Sequence, residues 1–182
     1  MYKLLIFLPL LILLTFPQLL YAQTPSPTVS PTPISVDYTL PYPGLLPNNP
    51  LYILKVVRDK IVSFFITNPS KRASFDLLQA DKRLEAAYQL QKEGSKYDDL
   101  VISTLSKGEN YFDDSIIQIK SATSMGDDTA GQILTMHTAS LKHMQVITQM
   151  MQNTSPQMKK NLEDQLERVN NFEKVLSNIS QK

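Results

Sequence analysis

The chain has 182 residues, with 18 Lys and Arg against 17 Asp and Glu and a formal charge of +1. That balance argues against sequence-independent nucleic-acid binding, which draws its affinity from an excess of phosphate-neutralising cations. The absence of cysteine excludes thiol catalysis, Cys-ligated zinc, disulfides and a lipid anchored on an N-terminal Cys.

Residues 1–22 read as a secretory signal peptide. Lys3 supplies a positive start, Leu4 to Leu14 form an unbroken apolar run, Pro17 breaks the helix, and Ala22 precedes a cut at Gln23. Leu20 is large for its place near the cut. Leu4 to Ala22 also approaches the ~20 residues of a membrane span, so an uncut signal anchor is the competing reading. Either predicts export, with the protein secreted or extracytoplasmic in the cell envelope.

Residues 23–48 form a Pro-rich linker that includes TPSPTVSPTP and Pro41, Pro43 and Pro47. Pro fixes φ and removes a backbone donor, which predicts an extended, polyproline-II-like stalk rather than a helix. Tyr38, Leu40, Tyr42, Leu45 and Leu46 predict that its end lies against the folded body.

From residue 49 to 182 the apolar residues recur at helical spacing. Asn49 and Pro50 suit a helix cap and first helical position, and Leu51, Leu54, Val57, Ile61 and Phe65 form the first stripe. Asn68-Pro69 opens a second helix striped by Ala73, Leu77, Ala80, Leu84 and Ala87 and stopped at Gly94. The third has Val101, Leu105, Gly108, Phe112 and Ile119, with Ser115 interrupting. Gly108 weakens a helix by ~1 kcal/mol relative to Ala, which suggests a close backbone approach. Asp128 caps a fourth helix with two adjacent stripes, one from Leu134 to Met151 and one through Ile133, Met136, Ser140, Ile147 and Met150. Ser155-Pro156 opens the fifth, lined by Leu162, Val169, Phe172, Leu176 and Ile179.

The expected fold is therefore all-α: an up-and-down bundle of one short helix and four long ones, each of roughly 23 to 28 residues. Short connections predict antiparallel neighbours. Each greasy stripe, the first helix's included, is expected to face the core. The mixed charges Lys55, Arg58, Asp59 and Lys60, and Asp81, Lys82, Arg83 and Glu85, read as solvated faces.

The run LLPNNPLYILKVVRDKIVSFFI, followed by ADKRLEAAYQL, resembles a family of bacterial exported helical domains of unknown function, DUF5667. The resemblance rests on Leu46, Pro47, Pro50, Leu51, Tyr52, Leu54 and Lys55, then on Ala80, Asp81, Arg83 and Leu84. It extends more loosely to the closing helix pair. It implies an exported all-α domain with no agreed catalytic residues to carry over.

No catalytic constellation is legible. His137 and His143 lie about 240° apart on a helix, so they cannot chelate one metal together. Asp98-Asp99, Asp113-Asp114 and Asp127-Asp128 are sequence neighbours, not two carboxylates converging on a cleft. Met136, His143 and Met150 share one stripe in a Met-rich region, and thioether with imidazole suits Cu(I). Met at helical spacing is first of all core packing, so the copper site is an alternative only. The expectation is a non-enzymatic, extracytoplasmic module with no cofactor and a protein or cell-envelope partner. It would meet a membrane only through a retained N-terminal segment. The alternative is a small-ligand or soft-metal carrier.

Overall fold

The computed structural model describes residues 36–152 and 154–180. The signal segment 1–22, its cut between Ala22 and Gln23, and residues 23–35 of the linker lie outside the described residues. The described chain falls in one compact unit, Ile34–Lys182. It comprises α1 (Tyr52–Phe65), α2 (Pro69–Lys92), a single 3-10 turn (Ser95–Tyr97), α3 (Asp98–Ser124), α4 (Ala130–Met150) and α5 (Pro156–Ser180). There is no strand among the described residues.

The helix starts follow the cap chemistry. Asn68 accepts a bond from the Lys71 N–H at 2.9 Å with Pro69 as first helical residue, and Ser155 Oγ accepts from Met158 N–H at 3.2 Å. At α4 the cap position is Thr129 and not the expected Asp128, which lies one residue earlier and holds the Ala130 N–H at 3.3 Å. Gly94 turns the chain after α2 with φ +109°, a conformation open chiefly to glycine. At the first helix Asn49 holds the Leu51 N–H at 2.9 Å, but α1 begins at Tyr52. Pro50 thus sits in the preceding turn and not at the first helical position.

The four long helices close into a ring in which α2 packs on α3, α3 on α5, α5 on α4 and α4 on α2. This differs from the expected wiring. The short connection 125–129 crosses the diagonal of the ring, so α4 lands beside α2 and runs parallel to it. Ser70 bonds Gln132 at one end of that pair (2.8 Å) and Gln91 bonds the Met150 carbonyl at the other (2.7 Å). The α2, α3 and α5 stripes are buried as expected, except that Ile179 at the end of α5 is only partly covered. On α4 the Ile133–Met150 stripe is buried, whereas Leu134 of the second stripe is 69 % exposed. Gly108 sits where a Cβ would come within 3.0 Å of Arg83 Cβ and 3.3 Å of the Ala80 carbonyl. The close approach of α2 and α3 is the reason for that glycine.

The first helix overturns the expectation for its stripe. Leu51, Leu54, Val57, Ile61 and Phe65 face outward, as do Ile53, Val62 and Phe64, all between 43 and 81 % exposed. No α1 side chain belongs to the core. What faces the body is the polar side: Tyr52, Lys55, Asp59 and Ser63, with Asp59 buried. Arg72 Nη1 donates to the Ser63 carbonyl at 2.8 Å and Lys55 Nζ to the Pro43 carbonyl. The ring already closes its own core, and these polar bonds hold the opposite side of α1 against it.

Of the linker residues, Tyr38, Leu40 and Leu46 pack on the core as expected, whereas Tyr42 is 80 % exposed and Leu45 also stands out. No helix among the described residues is long and apolar enough to cross a membrane.

Candidate functional site

Three titratable side chains from three helices meet inside the ring. His143 of α4 lies between Asp81 of α2, with Nε2 3.0 Å from Oδ1, and Glu109 of α3, with Nδ1 3.1 Å from Oε1. His143 and Glu109 are completely buried and Asp81 nearly so. Tyr38 from the linker end closes the chain of bonds, its hydroxyl donating to Asp81 Oδ2 at 2.6 Å. Phe112 meets the imidazole edge-on, with ring centroids 5.1 Å apart. Burial and the Asp81 charge both raise the Tyr38 pKa, so its hydroxyl keeps its proton as a donor.

Burial alone would drive the imidazole toward its neutral form. The Glu109 charge, the hydrogen bonds to both carboxylates and the Asp81 charge outweigh it and raise the His143 pKa to about 9. At neutral pH the ring is an imidazolium that donates from both nitrogens. Such a group has no lone pair for a metal or for general-base work while this network stays closed. Met136 and Met150 do share its buried stripe. Met136 Sδ, however, faces the Ser115 hydroxyl at 3.7 Å, and no His/Cys/Asp/Glu group among the described residues is arranged to hold a metal ion. His137 points elsewhere, to Glu173 at 3.0 Å.

Arg83 forms a second buried polar centre. Its guanidinium stacks over Tyr111 at 4.2 Å and donates to Gln79 Oε1 at 3.0 Å. Its Nε, Glu109 Oε2 and Asp59 Oδ2 have no hydrogen-bond partner among the described residues. Asp59, Asp81 and Arg83 were expected on solvated faces, and the structure corrects this. Asp81 and Glu109 each follow directly on an apolar stripe position (Ala80 and Gly108), while His143 falls within one. That adjacency was the available signal.

A cleft of about 270 Å³ opens beside this network, lined by residues including Tyr38, Leu77, Asp81, Gln132 and Met136. Asp81 is its single charged lining residue, and both Asp81 oxygens are already engaged by Tyr38 and His143. The cleft therefore offers no free acid.

The outward side of α1 is the other candidate. At 100° per residue, Ile53, Phe64, Val57, Ile61, Leu54, Phe65, Leu51 and Val62 span about half the circumference. Eight large apolar side chains exposed on one side of a single helix and its cap form the kind of patch that marks an interaction surface. Lys60 emerges at one margin of this arc and Arg58 within it, between Phe65 and Leu51.

No curated protein and no solved structure matches the chain. The sequence model of one family matches residues 44–182, spanning α1, the ring and the buried Asp81–His143–Glu109 chain, and the protein belongs to that family, the Domain of unknown function (DUF5667).

Proposed function

We propose that this protein is a non-enzymatic, extracytoplasmic interaction module whose working surface is the outward face of α1. One observation carries the reading: α1 turns its polar side to the body and its apolar side to solvent. An amphipathic helix that only completes a core does the reverse. The buried polar chain supports the non-enzymatic part, because its imidazole is sealed from solvent and bound on both nitrogens. The signal-like segment 1–22 and the Pro-rich stretch after it support placement at the cell envelope.

Photo-crosslinking in intact cells tests the reading. A crosslinking residue placed at Phe64 should form adducts with envelope components, while one at exposed Lys174 on α5 should form none. Equal or absent labelling at the two positions overturns it.

A further inference from the structure

We infer that the occupant of this surface is the headgroup region of an anionic lipid bilayer, on which α1 lies flat. The inference rests on the reading of α1 as the working surface and names what meets it.

Charge selects the partner. Between Asp37 and Asp76 the chain has five cations, Lys55, Arg58, Lys60, Lys71 and Arg72, against three acids, Asp37, Asp59 and Asp76, of which Asp59 and Asp76 are buried beneath Arg58 and Arg72. The remainder of the sequence holds no such excess, since the whole is nearly balanced at 18 to 17. Asp59 is also withdrawn from the surface: it is buried, and Arg58 covers it at 2.7 Å. An apolar helix face that carries exposed Arg58 and Lys60 and no exposed acid of its own fits acyl chains beneath anionic headgroups. Arg58, with 64 % of its side chain exposed, and exposed Lys60 have stems long enough to reach phosphates while their methylenes stay on the apolar side.

The same charges oppose a second copy of the chain. A two-fold pairing of these faces brings like cations together and offers no acid to neutralise them. Shape points the same way, because α1 stands outside the ring as a lone convex rod with Phe64 and Phe65 fully out at its end (81 % and 75 % exposed).

Among the described residues every core residue lies in the compact unit, so the chain from Gln23 onward keeps the whole of that core and can be tested free of the apolar run. The protein has no tryptophan, which makes F64W a clean reporter. With phosphatidylcholine vesicles containing phosphatidylglycerol, its emission should shift to the blue and be quenched by brominated acyl chains. Phosphatidylcholine alone should bind it far more weakly. Arg58→Gln with Lys60→Gln should weaken binding to the anionic vesicles by roughly tenfold to thirtyfold, from about 1 kcal/mol per basic residue. I61E with F65E should abolish binding while leaving the far-UV dichroism unchanged. A folded F64W protein that shows no shift with anionic vesicles overturns the inference, and so does light scattering that finds a dimer dissociated by I61E. Adducts at Phe64 formed with protein alone in cells would overturn the lipid assignment yet leave the interaction reading standing; an unlabelled α1 would remove both.

Discussion

His143 is the side chain on which the interior turns. Its two donors each face a buried carboxylate, so replacing it strands two acids at once. His143→Leu should cost about 3–5 kcal/mol, the usual penalty for breaking a buried ion pair from one side. Urea unfolding measures it. Replacing the whole chain with apolar groups, Tyr38→Phe, Asp81→Leu, Glu109→Met and His143→Phe, should cost less than that single change, since no unpaired charge remains. The network also makes stability depend on pH in a definite direction. The folded His143 pKa of about 9 lies above the free value of 6.5. Its stabilisation is therefore complete below about pH 6.5 and fades as pH rises through about 9. The full span is on the order of 3 kcal/mol. The urea midpoint should fall between pH 6 and pH 9.5 in the wild type and stay level across that window in His143→Gln. A wild-type midpoint that rises over it would contradict the assigned imidazolium. None of these partners was legible as a set, because Asp81, Glu109 and His143 come from three helices and periodicity says nothing of which rods meet. The residues of the ADKRLEAAYQL resemblance, Asp81 and Arg83 above all, turn out to be the buried polar ones.

At the scale of the element, α2 and α3 were the most readable parts of the chain. Their stripes run at regular three- and four-residue steps, and one glycine marks the place where they approach. Gly108 and Gly131 form a controlled pair. Both lie inside helices, where Ala is favoured over Gly by ~1 kcal/mol. A Cβ at Gly131 meets nothing within 4 Å, whereas at Gly108 it meets a Cβ and a backbone carbonyl, atoms that cannot swing aside. Gly131→Ala should therefore stabilise by up to about 1 kcal/mol. Gly108→Ala should destabilise by about 1–3 kcal/mol through overpacking. Thermal melts of the two variants read opposite signs, and a stabilised Gly108→Ala would show that the two helices can part. For α1 the stripe was equally legible, but its direction was not. Periodicity locates an apolar face without saying on which side the body lies, and Arg72, which bonds the Ser63 carbonyl on the polar side, belongs to a different helix.

The whole molecule is best understood as a closed ring with a helix set against it through polar contacts. Every residue of the core cluster comes from α2 to α5, from Ala73 to Leu176. The hydrophobic stabilisation, which scales with apolar area removed from water, therefore resides in the ring. Sequence reasoning reached the four rods and their inward faces, but not their order around the ring. A five-residue loop that crosses the diagonal looks the same in sequence as one that joins neighbours. The division into ring and appended helix has a measurable consequence. Leu84→Ala, in the middle of the core, should cost about 2–5 kcal/mol. Ile61→Gln and Phe64→Gln, on side chains already facing water, should stay within about 0.5 kcal/mol of the wild type in solution. Hydrogen exchange should separate the same two parts. The α1 amides should exchange through local opening at a free energy well below that of the ring helices, because α1 is held by side-chain contacts such as Arg72 to the Ser63 carbonyl and not by apolar burial. Anionic vesicles should slow exchange in α1 selectively and leave the α2 to α5 amides as they were. If α1 instead exchanges as slowly as α3 in the free protein, its polar contacts hold it as firmly as a core, and the division into ring and surface helix fails.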